Sequence, residues 1–131
     1  MFSTQAAIPA ALVVHAITIV ATLAVARRAR WCRRMAFGGS AVASALILFA
    51  AAGALGRGRP FAGVLFAHHA SGLMIDFVVT PLSAWFLLVM GTLGIPIAIY
   101  SIGYLAHAVP PSRTAAVGVA FNVLMATVAV V

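Results

Sequence analysis

The sequence predicts an all-α membrane protein with about four transmembrane helices, and three observations carry that prediction. Of 131 residues, 65% are apolar and only 7% charged, whereas soluble domains carry about 25% charged residues. A water-facing surface cannot be built from so few charges. The apolar residues fall into runs at 6–26, 35–55, 81–104 and 115–131, close to the ~20 residues that cross a ~30 Å hydrocarbon core. The charges lie between the runs: eight arginines, no lysine and a single acid, Asp76, for a net charge of +7. In a soluble protein that balance would point to nucleic acid. Here, in short gaps between apolar runs, it reads as topology signal and lipid-phosphate contact, with no nucleic-acid partner.

Met1 to Gln5 form a short polar lead with no Lys or Arg, unlike the basic start of a cleaved signal peptide. In the first run His15, Thr18 and Thr22 fall at i, i+3 and i+7 and so share one helical face. Polar groups in hydrocarbon need partners, so this face should look at protein. His15 is either a proton-relay residue or a neutral helix-packing histidine. Arg27, Arg28, Arg30, Arg33 and Arg34 then form a connection, with Trp31 among them as an interface anchor. Five arginines in one short gap put that gap on the cytoplasmic side and the N-terminus outside. Cys32, the only cysteine, excludes an internal disulfide and a cysteine-only metal site.

The second run carries Ser40 with Ser44 and Ala41 with Ala45, small residues four apart that let helices approach closely. Gly56-Arg57-Gly58-Arg59-Pro60 forms the outer loop. The stretch 61–79 is apolar but interrupted by His68, His69, Ser71, Gly72 and Asp76, and it is rich in β-branched and aromatic residues. It reads as an irregular outer segment, either a short hairpin or an interfacial stretch. Adjacent residues point apart on a helix or a strand, so His68-His69 is a poor metal pair and no metal site is expected. Asp76 reads either as a proton-uptake group or as an outer carboxylate that caps the third helix or pairs with Arg57 or Arg59.

Thr80 suits an N-cap and Pro81 the first helical position, where its missing N–H costs nothing. Trp85 lies one turn in, at interface depth. Pro96 cannot donate to the Thr92 carbonyl, so a bend is expected near Gly94 to Pro96. Gly91, Gly94 and Ala98 mark the packing face, and Tyr100 and Tyr104 return the chain to the inner interface. His107 to Arg113, with Pro110-Pro111, forms the second cytoplasmic turn. The fourth run then ends in mid-pattern, which leads us to expect a piece of a longer chain, organised as one membrane domain over 1–131. No nucleophile–base constellation, phosphate loop or metal-ligand spacing is present. No catalytic residue, cofactor site or autonomous catalysis is expected, and the candidate ion-path residues are Asp76 and His15.

Pro81-Leu82-Ser83-Ala84-Trp85-Phe86, followed by Ile99-Tyr100-Ser101-Ile102-Gly103-Tyr104-Leu105, resembles the third span of the antiporter-like subunits. That family is shared by respiratory complex I, Mrp-type cation/proton antiporters and membrane-bound hydrogenases. The closest likeness is to the branch that holds the antiporter-like component of hydrogenase 4 and formate hydrogenlyase subunit 3. Phe121-Asn122-Val123-Leu124-Met125-Ala126-Thr127 is similar to the start of the family's fourth span. The resemblance implies a multi-pass protein of the bacterial inner membrane. Its partners would be the other membrane subunits of a hydrogenase or NADH dehydrogenase-type complex, coupled to proton or sodium movement. Thr80 stands where the family usually has Asp, and the family's proton path lies in helices beyond this sequence, so no ion-path residue is carried over from it. The alternative reading is a self-contained small membrane protein that acts as an assembly or interaction factor.

Overall fold

A computed structural model of the protein describes residues 4–130, with the backbone alone at 108, 111 and 112. The elements run α1 (Thr4–Ala24), α2 (Ala29–Arg57), β1 (Phe61–His68), β2 (Leu73–Val79), α3 (Pro81–Ala108) and α4 (Pro111–Val130). All four helices are long and apolar enough to cross a membrane. Apart from the bonds that Pro9 in α1 and Pro96 in α3 cannot donate, the helical ladder satisfies their backbone groups internally, as a span in hydrocarbon must.

Helices α2, α3 and α4 extend past the expected spans, whereas α1 keeps the expected length and lies two residues earlier; the connections shift accordingly. Thr4 and Gln5 are already helical, whereas Met1 to Ser3 of the expected polar lead lie outside the described residues. The arginine-rich gap is not a loop. Only Val25 to Arg28 form the turn, held by Ala26 N–H to Leu23 O at 3.2 Å and Arg28 N–H to Val25 O at 2.9 Å. Arg30, Arg33 and Arg34 belong to the first turns of α2. The 29 residues of α2 make a rod of ~43 Å, longer than the hydrocarbon core, so its basic end can remain helical and still reach the headgroups. The second turn shortens likewise: α3 continues to Ala108, and only Val109 and Pro110 separate it from α4.

Helix α2 is the centre of the bundle and packs against the other three. Its buried side chains are Cys32, Ala36, Phe37, Ser40, Ala43, Ser44, Ile47, Ala50, Ala51 and Ala54, a stripe of mostly small groups at helical spacing. Small side chains bring helix axes together, and in lipid that dispersion contact is the main cohesive term. Gly91 of α3 shows how close the approach is. A Cβ there would lie 2.9 Å from the Ser44 carbonyl oxygen and 3.0 Å from the Leu48 amide nitrogen. Gly94 and Ala98 are buried along the same line, so the expected packing face of α3 is the observed one. Of the two expected small pairs on α2, Ser40 and Ser44 are buried, while Ala41 is half-buried and Ala45 exposed.

Segment 61–79 takes the hairpin alternative. Strands β1 and β2 pair antiparallel from Phe61 with Val79 to His68 with Leu73, with an irregularity between Val64 and Phe66. Gly72 has φ +68°, a left-handed turn conformation that glycine adopts without a Cβ penalty. At the base, the Phe77 ring lies over Gly63, where a Cβ would sit 2.7 Å from two ring atoms. The same ring meets Phe61 edge-on at 6.2 Å. Phe61 and Val79 join a core cluster with Ile8, Ala54, Ala84 and Leu87. Thus the hairpin caps the end of the bundle where α1 and α3 begin and α2 and α4 finish. The opposite end holds Arg27, Arg28, Arg30, Arg33, Arg34 and Arg113, against Arg57, Arg59 and Asp76 at the hairpin end.

Candidate functional site

Besides the arginine-rich end, the described residues collect polar groups in the interior between α1, α2 and α4 and at the hairpin end. The interior contains the face expected on the first helix. His15, Thr18 and Thr22 are all buried, His15 completely, and they look at α2 and α4. Thr18 packs directly on the Cα of Gly39, and the methyl of Thr22 lies near Gly118, which itself abuts Ala36.

At the centre of this interior, His15 Nδ1 is 2.9 Å from Asn122 Oδ1. The amide nitrogen of Asn122 donates to two backbone carbonyls, Ala36 O of α2 at 2.9 Å and Gly118 O of its own helix at 2.9 Å. Those two carbonyls settle the orientation of the amide, because turning it over would set Oδ1 against two acceptors. Both N–H bonds of the amide are then committed, so Oδ1 faces the imidazole as an acceptor and Nδ1 must carry the proton. This three-helix clasp joins α1, α2 and α4 through one side chain. Asn122 is the only asparagine in the sequence. A lone carboxamide in an otherwise apolar run was the available sign of its role, but nothing in the sequence tied it to His15.

Asp76 lies elsewhere. It sits on β2 opposite Val64, exposed, on the wall of a cavity of about 670 Å³ between the hairpin, α3 and the end of α4. Phe77, Phe86, Leu87 and Val128 supply apolar walls to this cavity, and Ser83 and Thr127 supply hydroxyls. Asp76 neither caps α3 nor pairs with Arg57 or Arg59. The cap is Thr80, whose Oγ1 accepts from Ser83 N–H at 3.2 Å. Arg57 donates instead to Thr4 Oγ1 at 3.0 Å, and among the described residues no ion pair forms. His15 lies eleven residues into α1, ~17 Å along the axis, so the fold does not bring the two candidate ion-path residues together.

His68 is occupied in the hairpin turn. Its Nδ1 accepts from Ser71 N–H at 3.2 Å and lies 2.7 Å from Ser71 Oγ. Among the described residues no three His, Cys, Asp or Glu side chains converge as metal ligands. Cys32 is buried and unpaired, with its Sγ 3.8 Å from the Thr22 carbonyl oxygen.

Four apolar helices in antiparallel sequence, joined by short turns and one hairpin, define a multi-pass helical membrane protein. Residues 67–113 match the family model of NADH-ubiquinone oxidoreductase (complex I), chain 5 N-terminus. That match covers the tip of the hairpin, β2, all of α3 and the first residues of α4. It includes Pro81–Phe86 and Ile99–Leu105 and stops short of Phe121–Thr127. No curated protein matches the chain.

Proposed function

We propose that these helices are the N-terminal part of an antiporter-like, proton- or sodium-translocating subunit. The assembly would be a complex I-like NADH:quinone oxidoreductase or a membrane-bound hydrogenase in a bacterial cytoplasmic membrane. The observation that carries this reading is the match of the hairpin–α3 unit to the chain 5 N-terminus of complex I. The opening Pro81-Leu82-Ser83-Ala84-Trp85-Phe86 and the closing Tyr100-Ser101-Ile102-Gly103-Tyr104 favour the hydrogenase 4 and formate hydrogenlyase branch.

In this role the chain acts as one membrane domain that supplies packing surface and lipid contacts. A subunit that moves ions needs several ionisable groups at membrane depth. The spans here offer His15 alone, while Asp76 is at the hairpin end. Coupled to a complete subunit, Asp76 would act at the outer mouth of an ion path and His15 within the bundle. The six-arginine end would face the cytoplasm by the positive-inside rule, with the hairpin and the N-terminus outside.

Affinity purification of the tagged chain from the membranes of its own host tests this reading. We expect it to bring down membrane and peripheral subunits with the absorption of iron–sulfur clusters or flavin. Recovery of the chain alone under mild solubilisation would overturn the assignment. Reconstituted by itself in proteoliposomes, the chain should give no ion flux. A robust pH-dependent flux abolished by Asp76→Asn would overturn the scaffolding role.

A further inference from the structure

Two groups of hydroxyls in the bundle stand in contrast. On α3 and α4, Ser101 Oγ donates to Ile97 O at 2.7 Å, Thr127 Oγ1 to Val123 O at 2.8 Å, and Thr114 Oγ1 to Pro110 O at 3.3 Å. Each satisfies itself against the carbonyl four residues back, as a hydroxyl in an apolar medium ordinarily does. Thr22, Ser40 and Ser44 do not. Their oxygens are buried without a hydrogen-bond partner, and so is His15 Nε2. His15 and Thr22 of α1 and Ser40 of α2 border the interior where Thr18 packs on Gly39 and Asn122 reaches Ala36, whereas the Ser44 hydroxyl turns to Gly94 of α3.

An unpaired buried polar atom costs about 1–3 kcal/mol, and native structures leave few of them. The state of His15 narrows what can satisfy this set. Asn122 forces the proton onto Nδ1, so neutral His15 presents Nε2 as a bare acceptor that needs a donor. The charged form would instead need a counter-anion at depth, and the sole carboxylate lies on the hairpin. Facing groups are otherwise neutral. From α2 come Cys32 and Ser40, and from α4 Asn122; Arg33, also with a buried unpaired Nε, sits at the basic end of α2. Hydroxyls and water are the groups that can donate to Nε2 when it is bare and accept from it when it is protonated.

We propose that the interior between α1, α2 and α4 is a hydrated proton-binding site. Water donates to His15 Nε2 and links it to the hydroxyls of this interior, and Asn122 is the positioning residue that fixes the imidazole with its acceptor nitrogen toward the water. Proton uptake is balanced simply: a hydrated proton bonds to the Nε2 lone pair, leaving a neutral water and an imidazolium whose Nε2–H now donates. The site is built from α1, α2 and residues of α4 beyond Arg113, outside the complex I likeness of residues 67–113.

Solid-state NMR of the full chain in lipid bilayers, with ¹⁵N-labelled histidine, tests it, and His15→Gln assigns the His15 signals. We expect Nδ1 protonated, Nε2 bare and a water-exchange cross-peak to the His15 ring. Acidification should protonate Nε2 reversibly while the fold persists. The exposed His68, His69 and His107 serve as internal references. In Asn122→Leu the His15 proton should distribute over both ring nitrogens; if that variant does not fold, Asn122→Ser provides the same readout with less apolar disruption. A His15 that carries its proton on Nε2 would overturn the proposal. So would a ring without water contact, or one that does not take up a proton at any pH where the bundle is intact.

Discussion

Asn122 on α4 accepts a hydrogen bond from His15 on α1 across 107 positions of sequence, at 2.9 Å. The same side chain donates to the backbone of α2. One carboxamide therefore holds three of the four helices in register. The bond matters because lipid gives helices no hydrophobic reason to associate, which leaves packing and polar clasps to hold them.

Asn122→Leu removes that clasp while keeping the branched shape of the side chain. It leaves His15 Nδ1–H without an acceptor and buries it among apolar groups. We expect a loss of about 1–3 kcal/mol, read as earlier unfolding in a detergent titration followed by circular dichroism. A variant as stable as the parent would mean that the bond contributes nothing net.

Gly91 and Gly38 should behave in opposite ways on conversion to alanine. At Gly91 the new methyl would meet the Ser44 carbonyl and the Leu48 amide, backbone atoms that cannot move without shifting α2. Overpacking of this kind costs about 1–3 kcal/mol. At Gly38 nothing lies within 4 Å, and alanine's better helix propensity should make Gly38→Ala neutral or stabilising by up to about 1 kcal/mol. Thermal unfolding of the two variants in one detergent gives the contrast.

Thr80→Ala and Asp76→Asn separate capping from charge at the start of α3. Thr80 Oγ1 holds the Ser83 amide, so its loss should cost about 1 kcal/mol. Asp76 makes no ion pair among the described residues, and its neutralisation should leave stability within about 0.5 kcal/mol. If Asp76→Asn were the more harmful change by urea unfolding in micelles, the cap assignment would be wrong.

The orientation is open to direct labelling. In a Cys32→Ala background, Ser71→Cys in the hairpin turn should react with a membrane-impermeant maleimide applied from outside. Arg27→Cys should react only after permeabilisation. The reverse pattern would place the arginine-rich end outside, against the positive-inside rule.

The sequence alone determined that the chain crosses the membrane four times. Hydropathy over a ~20-residue window depends on side-chain transfer energies, which are local. The cap at Thr80-Pro81, the glycine face of α3 and the buried face of His15, Thr18 and Thr22 were legible for the same reason, since each follows from helical periodicity. The helix ends were not, because a helix can run past the hydrocarbon without any change in its hydrogen bonding, and so Arg30 to Arg34 became the start of α2. The hairpin could only be posed as one of two alternatives, since strand pairing between Phe61 and Val79 is not local. Asp76 drew attention as the sole carboxylate, yet the fold leaves it on an exposed strand. What the tertiary structure alone decided is the meeting of His15 with Asn122, and with it which imidazole nitrogen carries the proton. Both residues were visible as polar groups in apolar runs, but a hydrogen bond between helices depends on their rotation and depth, and packing around α2 sets both.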